Sequence, residues 1–295
     1  MTDRRGFLKS VVLTGGVASF LPSLAASAAD GRPRNAGSAY SLDSPADNVE
    51  LYARLTGRPN QQQTFIYGRG AVFGIDPSRG ESVSEFGKHL FDVESCQIKL
   101  SRLSRDSVLT DRSRSWMLYR DVETGAYLTT FKNPYTHRIV DVPQFKARVS
   151  GVKVAPEGLQ YEASFPMESS AFGKPYRLKW ALLGDMAVAR REAFTYWQDP
   201  RSKVYRTEMT LDTWTFPVAE LERRSESYIP NVPSWISETG WMGFLGMDGH
   251  PGHMLWRTDS RLLNSADVLP SEFIDASKRL VDKDVLADIS RDEVD

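Results

Sequence analysis

The stretch Tyr205-Arg206-Thr207-Glu208-Met209-Thr210-Leu211-Asp212 alternates without a break. Tyr205, Thr207, Met209 and Leu211 fall on one side of an extended chain, and Arg206, Glu208, Thr210 and Asp212 on the other, because successive strand side chains point to opposite faces. An antiparallel strand with one packed and one wet face reads this way. The preceding strands are predicted to follow the same rule, with Tyr176, Leu178 and Trp180 on one face and Arg177 and Lys179 on the other. Tyr205, Met209 and Leu211 are therefore expected in the core. Arg190, Glu192, Arg206, Glu208 and Asp212 are expected together on a charged face, solvated or turned into a pocket.

Residues 62 to about 216 break into β-rich runs separated by turn residues. Thr64–Tyr67 and Ala71–Ile75 flank Gly68 and Gly70, and Ser115–Tyr119 and Tyr127–Phe131 flank Glu123-Thr124-Gly125, a hairpin signal. About ten short strands at 8–12-residue spacing predict a mainly β fold, an antiparallel β-barrel or strongly curved, lipocalin-like sheet. Helices are expected only at the ends. Ser44-Pro45 reads as N-cap and first turn of a helix over about 45–56, and Pro270-Ser271 opens a second reaching roughly Lys283. No strand–glycine loop–helix unit occurs, which disfavours nucleotide-binding α/β folds.

The N-terminus carries an address. Arg4-Arg5-Gly6-Phe7-Leu8-Lys9, an apolar run from Val11 to Leu24 and Ala26-Ser27-Ala28 make the three parts of a secretory signal. The paired arginines resemble the twin-arginine signal, which exports folded proteins. Residues 1–28 are thus read as signal peptide, 29–43 as a flexible leader and 44–295 as one β-rich domain, located in the periplasm or secreted. The twin-arginine export machinery is the expected partner.

Composition narrows the class further. Across 295 residues, 37 Lys+Arg meet 38 Asp+Glu, and no lysine-rich block appears, which points away from nucleic acid. The apolar run at the N-terminus is too short and too interrupted by Gly15, Gly16 and Pro22 for an integral membrane span. A single cysteine, Cys96, rules out an internal disulfide and is read as a small buried hydrophobe.

Two segments carry a resemblance: Trp116–Thr136, containing Tyr-Arg-Asp-Val-Glu-Thr-Gly and Asn-Pro-Tyr-Thr, and Trp241–Trp256, containing His-Pro-Gly-His. They are similar to the bacterial family catalogued as domain of unknown function 1838. The resemblance covers most of the chain after residue 28. It implies boundaries and, because members often carry twin-arginine signals, export; it implies no particular chemistry.

Candidate chemistry comes from the residues themselves. Asp248, His250 and His253 lie within six residues on a Gly/Pro loop, and can ligate a divalent metal or supply an acid–base group near neutral pH. A tight turn with solvent-facing histidines is the competing reading. Asn133 and Tyr135 follow a strand and can aim donors at a substrate oxygen. Trp116, Tyr119, Trp241 and Trp256 suit a pocket for an apolar or aromatic molecule, or simply fill a core. No Gly-x-Ser-x-Gly elbow or paired Cys–His motif is present.

These features point to an exported, cofactor-independent lyase, isomerase or cyclase acting on a small apolar or aromatic compound. His250, His253 and Tyr135 are the expected catalytic residues, and Asn133, Trp116, Tyr119, Trp241, Trp256 and Arg190 the expected ligand contacts. The alternative is a non-catalytic, lipocalin-like periplasmic ligand-binding protein.

Overall fold

The computed structural model describes residues 39–79, 87–146, 149–162, 167–198 and 205–289. The chain divides into Met1–Arg34 and Asn35–Asp295, and all described residues belong to the second unit. The expected signal peptide, most of the expected leader and Asp199-Pro200, which reads from sequence as the turn joining strands 186–197 and 203–216, lie outside the described residues.

Helix α1 (Pro45–Thr56) precedes strands β1 (Thr64–Ile75), β2 (Lys88–Leu103) and β3 (Leu109–Arg120). Short strands follow: β4 (Thr130–Lys132), β5 (Ile139–Asp141), β6 (Phe145–Lys146), β7 (Ser150–Ala155), β8 (Gly158–Tyr161) and β9 (Met167–Ser169). Then come β10 (Lys179–Leu183), β11 (Met186–Gln198), β12 (Tyr205–Pro217), β13 (Val232–Thr239), β14 (His253–Leu263) and helix α2 (Ser271–Leu280). The main sheet runs β10-β11-β12-β13-β14-β1-β2-β3-β7-β8, with β6 beside β3 and β9 beside β11, and β4–β5 form a separate ribbon. All pairings are antiparallel, and the sheet curls into a half-barrel. The expected mainly β, curved-sheet class is the one observed.

The curl has a local cause at its centre. β1 runs unbroken through Gly68 and Gly70, where two separate strands had been expected. A Cβ on Gly70 would lie 1.9 Å from the Arg257 carbonyl oxygen, and one on Gly68 would lie 2.6 Å from Ser260 Oγ and 3.0 Å from Ser95 Oγ. Only glycine lets β14 and β2 close in on β1 this tightly.

Each face is then covered differently. On the outer side of β1–β3, Trp116 stacks on Phe273 of α2 at 6.1 Å and donates from Nε1 to Ser277 Oγ at 2.8 Å. Cys96 is buried in this layer, as expected of a small hydrophobe, and burial pushes its thiol up. On the inner side, one end of the trough is filled by α1 and the other by aromatics from β2, β3, β14 and the loops around Tyr135 and Trp241. α1 has the predicted boundaries, with Ser44 Oγ accepting from Asp47 N. α2 stops at Leu280, earlier than expected, as Val281 N and Asp282 N both turn back to Ser277 O.

Two expectations about β11 and β12 are overturned. Their register pairs Arg190 with Thr213 and Glu192 with Leu211, while Arg191 pairs with Asp212. Arg190 and Glu192 therefore lie on the outer face, and Arg206, Glu208 and Asp212 on the inner one, so the five charges do not share a face. The expected core is also reversed: Tyr205 is 62% and Met209 54% exposed. The physical reason is the half-barrel, whose inner side at these strands holds a cavity and paired charges, Arg191 with Asp212 and Arg206 with Asp248, rather than a packed apolar layer.

Candidate functional site

Residues from both flanks of the sheet meet at one cavity of about 440 Å³ in the trough, where Tyr161 of β8 faces the same space as Arg191 of β11. One corner is charged. α1 presents Tyr52, Leu55 and Thr56 to it, positions i, i+3 and i+4 that share a helical face. Lys99 and Asp111 sit diagonally across β2 and β3, whose register pairs Ser101 with Asp111. Their side chains are each 5% exposed and joined at 2.7 Å through Nζ and Oδ2. Lys99 Nζ also donates to Thr56 Oγ1 at 2.6 Å and lies 5.4 Å from the Tyr52 ring.

The second oxygen of that carboxylate differs. Asp111 Oδ1 is buried and has no hydrogen-bond partner among the described residues. Such an atom carries a desolvation penalty until a donor reaches it.

Across the corner, Arg191 is held by Asp212, with Nη2 at 2.6 Å and Nε at 2.8 Å from Oδ2. Its Nη1 donates to Tyr52 Oη at 3.0 Å. Tyr52 thus accepts a hydrogen bond, while its own proton has no acceptor among the described residues. Burial pushes the Tyr52 hydroxyl up to about 12, opposed by Arg191 and reinforced by Asp111 and Asp212. Burial raises Tyr161 and Tyr176 as well, in each case against the pull of Arg191. At neutral pH the corner therefore holds neutral phenols between two compensated ion pairs. The rest of the cavity is a floor of hydroxyls, Ser95, Ser113, Ser115, Thr258 and Ser260, with Trp214 and Trp235 as apolar walls.

Of the expected catalytic and ligand-contact residues, Trp116 alone lines this cavity, and its indole is committed to α2; of the expected charged face, Asp212 lines it. Tyr119, Tyr135, Trp241 and Trp256 do come together, in the aromatic cluster that closes the far end of the trough. Tyr135 lies 5.2 Å from Trp241 and donates from its hydroxyl to Gly74 O at 2.6 Å. Asn133 staples the same loops, donating to Leu245 O at 2.7 Å and accepting from Tyr135 N at 2.8 Å. These polar atoms are spent on backbone.

His250 is exposed on a turn closed by its own N–H to Met247 O, and His253 opens β14 with Nε2 3.9 Å from Glu238 Oε1. Asp248 pairs with Arg206 at 3.1 Å. Asp248, His250 and His253 do not converge, and among the described residues no group of three His, Cys, Asp or Glu side chains is arranged to hold a metal ion. Arg190 is exposed on the outer face, one residue from the arginine that does enter the cavity.

A family model described as a protein of unknown function, DUF1838, matches residues 61–283. The chain belongs to this family. No curated protein matches the chain. The DUF1838 match takes in every strand of the sheet, and with them Lys99, Asp111, Tyr161, Arg191 and Asp212. It begins after α1, so Tyr52 and Thr56 reach the cavity from outside the matched segment.

Proposed function

We propose that this protein is an exported proton-transfer enzyme of the isomerase or lyase type, acting on a small, largely apolar or aromatic carbonyl compound held in the trough cavity. The observation that carries the reading is the buried Asp111 Oδ1 without a partner, on a carboxylate whose other oxygen is fixed by Lys99. A carboxylate anchored on one side and open on the other is arranged as a general base. Tyr52, neutral and with a free proton, faces the same cavity and supplies a hydrogen bond to the substrate oxygen.

In the proposed reaction Asp111 takes a proton from the carbon beside the carbonyl. The C–H electron pair becomes a C=C bond, and the carbonyl oxygen takes the charge beneath the Tyr52 hydroxyl. Where a second C=C lies next to the deprotonated carbon, return of the proton from Asp111 to the far end of the conjugated dienolate shifts that double bond and completes an isomerisation. Arg191, tied to Asp212, holds the Tyr52 oxygen in place. Twin arginines Arg4 and Arg5, with the apolar run and Ala26-Ser27-Ala28, support export. Among the described residues no helix is long and apolar enough to cross a membrane.

Deuterium uptake tests the chemistry. A panel of ring ketones (1-indanone, 2-tetralone and cyclohexenone) is incubated with the protein in D2O and weighed by mass spectrometry. Wild type is expected to accelerate exchange into at least one of them, and Asp111→Asn to slow it by about 10²-fold or more. No exchange above buffer with any of the three would sink the enzymatic reading. A lipocalin-like carrier would bind such compounds and return them unlabelled.

A further inference from the structure

We infer that the ligand reaches the charged corner with a neutral hydroxyl on a planar ring, a phenol or the enol form of a ring ketone. This rests on the proton-transfer reading, and names the group that reading leaves open.

Two unmet valences define the group. Asp111 Oδ1 needs a donor, and the Tyr52 hydroxyl proton needs an acceptor. A single hydroxyl does both, giving its hydrogen to the carboxylate while its oxygen receives the tyrosine proton. A hydrocarbon meets neither valence, and a ketone meets only the second.

Charge selects in the same direction. The corner holds two cations and two anions already neutralised in pairs, Lys99 with Asp111 and Arg191 with Asp212. An incoming carboxylate would face Asp111 and Asp212 across cations that are already engaged. An incoming ammonium would face Lys99 and Arg191 in the same way. A neutral group enters without adding an uncompensated buried charge.

The rest of the molecule is set by the walls. Trp214 and Trp235 line the cavity, and flat aromatic surfaces of this kind favour a planar ring. The volume of about 440 Å³ suits a ligand of one or two rings. When Asp111 carries the proton from the carbon beside a ring carbonyl to the carbonyl oxygen, the resulting enol has this shape and this hydroxyl and Asp111 is again a carboxylate, so the corner is complementary to the enol rather than to the starting ketone.

Calorimetric titration of the full protein with 2-naphthol, naphthalene and 2-naphthoate separates these claims. Wild type is expected to bind 2-naphthol at least tenfold more tightly than either of the others. The double variant Lys99→Met/Asp111→Leu removes the ion pair as a unit, and is expected to bind naphthol and naphthalene within about threefold of each other. The inference is overturned by wild-type affinities for naphthol and naphthalene within threefold, by naphthoate binding tightest, by no measurable binding of any of the three, or by a double variant that keeps the tenfold preference. A hydroxyl preference found in a protein that fails the deuterium test would leave this inference standing and remove only the catalysis.

Discussion

Lys99 and Asp111 are where single residues decide most. Each is buried, each carries charge, and each is compensated mainly by the other. Lys99→Met leaves Asp111 desolvated with neither oxygen held by a cation, and the expected cost is about 3–5 kcal/mol. Lys99→Met/Asp111→Leu deletes both charges, and its urea midpoint is expected to return most of the way to wild type. Equal loss in the single and double variants would show that Asp111 is not the partner that matters. Neither residue stands out in the sequence, although a lone cation inside Ile98-Lys99-Leu100 was a weak signal. The histidines are the more legible candidates, because imidazole as a side-chain type titrates near neutral pH. Side-chain chemistry was legible there, but not whether the loop turned inward, which depends on contacts distant in sequence.

At the scale of elements, α1 was the most readable part of the chain, because its cap and first turn are written locally in Ser44-Pro45. Its seat was not readable, and Asn48 makes it. The buried Asn48 amide donates to Leu42 O and Ser44 O, both at 2.8 Å. Its Oδ1 accepts from Leu178 N at 3.0 Å and Trp180 Nε1 at 2.9 Å. One side chain thereby ties the helix to the segment entering β10, and keeps Tyr52 and Thr56 over the cavity. Asn48→Leu is close in volume but strands two buried donors, each costing about 1–3 kcal/mol. A loss of about 3 kcal/mol in denaturant unfolding is expected, with weaker 2-naphthol binding as α1 shifts. Stability within 0.5 kcal/mol of wild type would mean that the helix is held by its apolar face alone.

Over the whole molecule, what the sequence left open was which side of the sheet is inside. Period-two alternation in β12 was correct residue by residue, and it separates Met209 from Trp214 as surely as Arg206 from Met209. Alternation says which residues share a face, and hydrophobicity ordinarily says which face is buried. In a half-barrel that keeps a cavity and paired charges inside, the second rule fails. The inner face of β12 carries Arg206, Glu208 and Asp212, and apolar residues such as Met209 and Tyr205 are left outside. Two substitutions on this one strand distinguish the arrangements. Met209 is 54% exposed, so Met209→Lys is expected to change stability by less than about 0.5 kcal/mol. Trp214 is 5% exposed and packs edge-on against Tyr52 at 5.7 Å, so Trp214→Ala is expected to cost about 3–5 kcal/mol. A packed core beneath Tyr205 and Met209 would give the opposite order, with the lysine the more damaging change, because an ammonium would then be buried without a partner. Thermal unfolding of the two variants side by side reads the sign directly, and a costly Met209→Lys would put the charged face of β12, and with it Asp212 and the Arg191 it anchors, on the outside of the protein.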